Sequence, residues 1–336
     1  MVTIRQIAQQ CGVSISTVSK ALNGAGDVSR ATAERIRQAA EDLGYMPNPA
    51  ARALKTRRSY CFGILFAAAA EQGLTQEFFS RILNSFKNRS GELGYDITFI
   101  GDRLGKRRIG YAEHALYRNC DGVLLVTGSD EEGDLADELE RAGIPLVCVD
   151  HIHPGCGSVL SDNRRGMGDL TRYALTMGHR RIALIHGEES FVTRTRIDSF
   201  LDECARGGVH ITGEYLREAA YHDPESARAA TAALLALPQP PTCIFYPDDF
   251  AFIGGMNELE SRGLRLPADI SAAGYDGISI CQAFHPRLTT IRQDAEAMGA
   301  RAAEELAAAI EEGESYIPRQ LLIPGELLRG ETVRHL

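Results

Sequence analysis

The sequence predicts a small all-helical headpiece followed by two doubly wound α/β lobes, on three observations. The first 45 residues carry short apolar stripes at helical spacing, punctuated by glycines. From Cys61 onward the texture changes to apolar runs of strand length alternating with amphipathic stretches, the pattern of parallel α/β architecture. That alternation runs for roughly 200 residues, more than one such sheet needs, so it divides into two.

In the headpiece, Ile4, Ile7, Ala8 and Cys11 fall on one helical face, which Thr3 can cap and Gly12 can end. Val13 bridges a tight turn. Ser14 is a second N-cap, opening a helix that turns Val18, Ala21 and Leu22 inward and Ile15, Ser16, Thr17, Ser19 and Lys20 outward. Two short helices joined through a glycine turn, the second with a polar to basic outer face, form a helix-turn-helix of the DNA-reading kind. Asn23-Gly24 stops the second helix, and a third, from about Thr32 to Leu43, covers the pair with Ile36, Ala39, Ala40 and Leu43. The breaker cluster from Gly44 to Pro49 follows, and Asn48 and Pro49 can start one or two turns over 50–55. So short a helix is marginal alone and needs a partner.

In the body, strands are expected from Cys61 and over Asp96–Ile100, Gly122–Val126, Pro145–Val149, Arg181–His186, Thr242–Tyr246 and Ile270–Tyr275. Helices are expected over about Phe78–Gly94, Ala112–Arg118, Asp134–Ala142, Arg196–Arg206, Ser226–Ala236 and Ala251–Arg262. There is no internal repeat, low-complexity tract or heptad.

Charge separates the two parts. The chain of 336 residues has net charge −9, which alone argues against a nucleic-acid partner. Residues 1–58, however, hold nine lysines and arginines against four acids, +5, leaving −14 on the remainder. A basic end on an acidic body fits phosphate contact by that end only. No apolar run approaches the roughly 20 residues that cross a bilayer, and the start opens a helix rather than a secretion signal, so a cytoplasmic protein without membrane contact is expected. The eight cysteines (11, 61, 120, 148, 156, 204, 243 and 281) are scattered without a C-x-x-C, which reads as reduced thiols, with no metal and no cofactor.

The runs TIRQIAQQCGVSISTVSKALN and VSRATAERIRQAAEDLGYMPNPAARALK resemble the amino-terminal headpiece of the lac repressor/purine repressor family of bacterial transcription regulators, and the likeness continues through the chain. It implies a helix-turn-helix domain over 1–45, a hinge helix and linker over 46–58, and a ligand-binding, dimerising body of periplasmic-binding-protein-like fold over 59–336. In that body the chain crosses between lobes near 161–163, 290–293 and 321–324. Lobe 1 then comprises about 59–161 and 293–321, and lobe 2 about 162–292 and 322–336. The hinge helix folds on operator and wedges a leucine into the minor groove; Leu54 holds that position, beside Lys55. A linker leucine packed on the body is the rival reading. Ile15, Ser16 and Lys20 occupy base-reading positions, Thr17, Ser19, Asn23 and Thr32 suit phosphates, and Thr3 is a further DNA-binding candidate. The chain lacks the leucine-repeat tail of tetrameric relatives, so a homodimer on palindromic operator DNA is expected.

Open α/β sheets bind ligands beyond the carboxyl ends of their strands. Those ends carry Asp150, the stretch from Gly187 to Arg196, Asp248 with Asp249, and Asp276. Carboxylates and an arginine on one cleft can bond vicinal hydroxyls in pairs, as sugar sites do. By resemblance, Arg196 and Asp276 match effector-contacting residues and Asp150 matches a pocket aspartate. Asp248 replaces an asparagine, and His222 stands where relatives place a stacking aromatic. The bland alternatives are that Asp150 and Asp276 cap turns, Arg196 pairs along its own helix, Asp248 or Asp249 caps the helix at Phe250, and Phe78 and Phe79 are core. No G-x-S-x-G elbow, P-loop, H-E-x-x-H or dinucleotide fingerprint is present. The reading is therefore a non-enzymatic transcription regulator, most simply a repressor, whose operator affinity is controlled by a small-molecule effector, a carbohydrate by preference. A solute-binding protein and a sugar-processing enzyme are the rivals.

Overall fold

The computed structural model describes residues 2–22, 27–45, 58–67, 76–127 and 133–336. Asn23, Leu54, Lys55 and the expected hinge helix lie outside the described residues. The chain forms two compact units, divided after Ser59.

The first unit holds α1 (Ile4–Cys11), α2 (Ile15–Leu22) and α3 (Arg30–Asp42). The Gln6 side chain accepts the Thr3 N–H at 2.8 Å, fastening the start of α1. Gly12, at φ +63°, ends it in the left-handed conformation. Ser14 Oγ accepts the Thr17 N–H at 3.0 Å. The third helix starts two residues before the expected Thr32, because Ser29 Oγ accepts the Thr32 N–H and caps it. Ile7, Val18, Ala21, Ala33 and Ile36 make the small core.

The second unit contains two six-stranded sheets. In the first, β1 (Cys61–Ala67), β2 (Asp96–Ile100), β5 (Gly122–Thr127), β6 (Leu146–Val149), β7 (Gly157–Ser161) and β13 (Gln320–Ile323) run in the order β13-β7-β6-β5-β1-β2, all parallel. In the second, β8 (Ile182–His186), β9 (Leu216–Glu218), β10 (Cys243–Phe245), β11 (Ser271–Asp276), β12 (Thr289–Arg292) and β14 (Glu326–Leu328) run in the order β14-β12-β11-β10-β8-β9, with only β14 antiparallel. A two-residue-per-strand ribbon, β3 (Arg103–Leu104) with β4 (Arg107–Arg108), hangs off the first. The chain changes sheets between Ser161 and Asn163, between Arg292 and Ala295, and between Ile323 and Glu326.

Helices α4 (Glu77–Glu92), α5 (Tyr111–Tyr117), α6 (Gly133–Arg141) and α12 (Ala295–Glu312) belong with the first sheet. Helices α7 (Asn163–Thr176), α8 (Phe191–Arg206), α9 (Pro224–Leu235), α10 (Asp249–Ser261) and the one-turn α11 (Ser279–Gln282) belong with the second. Inner strands such as β6 and β10 are buried throughout and read as unbroken apolar runs, whereas the edge strands β2, β9, β13 and β14 are partly exposed. Where α4 crosses α12, a Cβ on Gly299 would stand 2.2 Å from the Ile82 carbonyl oxygen, so only glycine admits this approach. No described helix is long and apolar enough to cross a membrane.

Several boundaries differ from expectation, for local reasons. Helix α8 begins at Phe191, five residues before Arg196, because Ser190 Oγ accepts the Thr193 N–H. Helix α9 begins at Pro224, capped by Asp223, and α10 begins at Asp249, capped by Asp248. Helices α7 and α12, and the strands after Val149 other than β8, β10 and β11, were not anticipated individually.

Candidate functional site

On the outer side of the first unit, Thr3, Ser16, Lys20 and Ile15 are exposed, the last unusually so for an isoleucine at 44 %. Thr17, Ser19 and Thr32 are half-buried. Thr17 and Thr32 already bond the capping serines, Thr17 Oγ1 to Ser14 Oγ and Thr32 Oγ1 to Ser29 Oγ, each at 2.8 Å. Lys20 forms an ion pair with Asp27, which holds the Asp27 carboxyl below its ordinary range by hydrogen bonding. Reading a base with Lys20 therefore means first releasing Asp27.

In the second unit, the strand ends supply the other candidates. Arg196, in the second turn of α8, is buried. Its Nε donates to Asn163 Oδ1 at 2.7 Å and its Nη1 to the Pro247 carbonyl at 2.8 Å, while the guanidinium lies 3.6 Å from the centroid of the Tyr275 ring. Among the described residues it thus pairs with no acid of its own helix and is held flat, with Nη2 left for other work.

Asp276 ends β11. Its Oδ1 accepts from Gln293 Nε2 at 2.7 Å. Burial pushes its carboxyl up to about 7; the neighbouring Asp248 charge adds to this, and His222, Arg196 and the Gln293 bond oppose it. Asp150, just past β6 in the first sheet, accepts the Ser161 N–H at 2.8 Å. Burial raises it too, against the pull of the Ser161 amide and Arg196. His222 follows β9; its N–H donates to Asp248 Oδ2 at 2.8 Å, its Nδ1 lies 3.5 Å from Asp248 Oδ1, and its ring stands edge-on to Phe79 at 6.4 Å. Phe78 is a core residue, and Phe79, partly buried against the same core, meets His222 across the lobes.

Asp248 is heavily used. Beyond the His222 amide, its Oδ1 takes the N–H groups of Phe250 and Ala251 at 2.9 and 2.8 Å. It is the cap of α10 as well as a wall of the cleft. Asp249 turns away, accepting from Thr290 Oγ1 at 2.6 Å and from the Ile278 N–H at 2.9 Å, and burial raises it strongly. It pins the loop after Asp276 rather than capping a helix. Arg194 pairs with Glu189 at the surface.

Backbone strain marks the same places. Among the described residues, five non-glycines have positive φ: Tyr60, Asn119, Asp150 (+53°), His222 (+57°) and Asp276 (+103°). Such conformations cost of order 1–3 kcal/mol each and collect where geometry serves binding. Three of the five are cleft candidates.

Four cleft residues escaped the sequence reading: Asn163, Tyr221, Tyr275 and Gln293. The Tyr221 ring lies so close to Gly187 that a Cβ there would reach it at 1.9 Å, and its hydroxyl meets Thr193 Oγ1 at 2.9 Å. Asn163 and Gln293 stand where the chain passes from one sheet to the other, and that position was the signal that could have found them. The Tyr275 hydroxyl, which lies against Gly166 of α7, and Gln293 Oε1 are buried without a hydrogen-bond partner among the described residues. One group with the composition of a metal site, Asp137, Glu140 and His153, lies elsewhere in the first lobe. There, the Gly155 N–H lies 3.3 Å from His153 Nδ1 and Asp137 Oδ1 lies 2.9 Å from Nε2, so both ring nitrogens are engaged within the protein.

A helix-turn-helix unit in a chain whose body gathers a guanidinium and carboxylates at the strand ends of two doubly wound sheets defines a class, the DNA-binding regulators that carry their own ligand-binding body. The comparisons agree. Residues 3–48 match the model of bacterial regulatory proteins of the lacI family, and residues 171–333 match a periplasmic binding protein-like domain. The chain is 32 % identical over 340 residues to the probable HTH-type transcriptional repressor ExuR of Bacillus subtilis, covering all of this chain and 99 % of the relative. Among solved structures it is similar to the lac repressor dimer bound to operator and the anti-inducer ONPF, with TM-score 0.80, 26 % identity and 99 % of each chain covered. It is also similar to the complex of the transcriptional regulator CelR with cellobiose, with TM-score 0.72, 26 % identity, and 99 % of this chain and 100 % of that one covered. The chain belongs to the LacI family of bacterial regulatory proteins.

Proposed function

We propose that this protein is a transcriptional repressor that binds a palindromic operator as a homodimer, and that its operator affinity is set by a neutral carbohydrate held between the lobes. The observation that carries the ligand reading is that two strained residues, Asp150 and Asp276, both feel the buried guanidinium of Arg196, while a third, His222, sits beside Asp276. Among the described residues, Arg196 Nη2 remains available to donate, and one oxygen each of Asp150 and Asp276 remains available to accept. A pair of vicinal hydroxyls can accept from the first and donate to the others. The aromatic faces of Tyr221, His222 and Phe79 suit the C–H face of a sugar ring. Carboxylates outnumber the arginine, which disfavours phosphorylated ligands. Relatives named as repressors, and a neighbour solved with cellobiose, support the same reading.

The ligand acts through its different affinity for two lobe arrangements. The 50–55 segment, with Leu54 as wedge, is where the resemblance sends that difference to DNA. The test is a thermal-shift screen of the full-length dimer against neutral mono- and disaccharides, sugar phosphates and purines. A neutral sugar at a hundredfold its Kd should raise Tm by about 5 °C, the order expected from mass action on a chain of this size. The same sugar should change operator retention. A response confined to purines or phosphates, or turnover of a sugar, overturns the reading.

A further inference from the structure

Beside the 276–279 loop, a carboxylate of the first lobe bonds the second. Glu77 opens α4 in the first lobe. Ser279 opens the one-turn helix after β11 in the second, three residues beyond Asp276. The Ser279 N–H lies 3.1 and 3.0 Å from the two Glu77 oxygens, and Ser279 Oγ donates to Oε2 at 2.8 Å. Glu77 has a second suitor within its own lobe: Arg81, one turn along α4, has Nη1 at 3.7 Å from Glu77 Oε1. That arginine is meanwhile held elsewhere, its Nε and Nη2 each 3.0 Å from the carboxylate of Glu296 on α12. The loop between Asp276 and Ser279 is short and anchored by the Ile278 N–H on Asp249 Oδ2.

We propose that Glu77 is a two-position latch, bonded to Ser279 when the lobes are together and to Arg81 when they part. In this arrangement Ser279 has the short contacts and Arg81 only a long one, so moving the carboxylate toward Arg81 gives up bonds to Ser279. Because Ser279 rides on the same loop as Asp276, latch and effector position are linked, and whatever biases one biases the other by an equal free energy. Glu77 is thus a positioning residue, acting on the ligand site through the 276–279 loop.

The competition predicts signs that a merely structural contact does not. Hydrogen–deuterium exchange of the ligand-free, full-length dimer, read at the amides of 279–282, tests it, with circular dichroism checking that each variant is folded. Glu77→Ala should speed exchange there by roughly tenfold, the order expected for losing one charge-assisted hydrogen bond. Arg81→Gln removes the open-state partner and should slow it below wild type. Glu296→Gln frees Arg81 to draw Glu77 away and should speed it. Unchanged exchange in Glu77→Ala overturns the latch, and so does exchange in Arg81→Gln that is equal to or faster than wild type. No effector enters the measurement, so the latch can fail while the carbohydrate reading stands, and the reverse.

Discussion

Asp276 illustrates how one buried carboxyl can report on a whole site. In the unfolded chain such a group ionises near 3.9, but in the folded protein burial and the Asp248 charge hold it at about 7. Between those values the native state keeps a proton that the unfolded state has lost. Stability therefore falls as pH rises from about 4 to about 7 and levels off above. Asp276→Asn should remove that fall, making the variant about 2 kcal/mol less sensitive to a change from pH 5 to pH 8; urea unfolding at the two pH values checks it. If a bound hydroxyl donates to the ionised form, ligand affinity should climb through the same interval, with proton release visible by calorimetry in two buffers. Replacing both Asp276 and Arg196 with alanine should abolish the ligand response and leave operator affinity unchanged, as measured by gel shift. A double variant that still responds would remove the site assignment.

At the scale of elements, α2 and the α4–α12 pair carry separate consequences. The Lys20–Asp27 pair is half exposed on both sides, so its release costs little, of order 0.2–1 kcal/mol. Asp27→Asn should accordingly tighten operator binding up to about fivefold in fluorescence anisotropy, more at low salt than at high. Lys20→Ala should shift the preferred base in a selected-sequence profile if it reads guanine, and leave that profile alone if it touches only phosphate. Between α4 and α12, Gly299→Ala pushes a methyl against the Ile82 carbonyl, and should cost about 2–3 kcal/mol of stability by equilibrium unfolding. The caps Thr3, Ser14 and Gly12 were legible in advance because each acts within four residues of itself. The start of α8 was placed five residues late because the periodic stretch around Arg196 obscured the Ser190 cap.

For the molecule as a whole, the transmission from cleft to DNA depends on parts far apart in the chain. Leu54→Ala should weaken operator binding by about 1–3 kcal/mol, the cost of unmaking one specific contact, and an unchanged affinity would argue that this leucine packs on the body instead. The latch adds a second checkpoint, where Glu77 and Ser279 meet across 202 positions of sequence.

The amino-acid sequence alone settled the two-part division, the helix-turn-helix, the alternation of strand and helix, and the acids and arginine at the strand ends. All of these rest on periodicity, caps and composition, which are local. The tertiary structure decided which partners those residues have. Arg196 lies against Asn163 and Pro247, 33 and 51 positions away, and Asp248 and Asp249, adjacent and chemically alike, face in different directions. It also decided that Asp150, His222 and Asp276 share a strained backbone. Such features arise from how the ends of different strands are brought together, and no stretch of chain contains that geometry by itself.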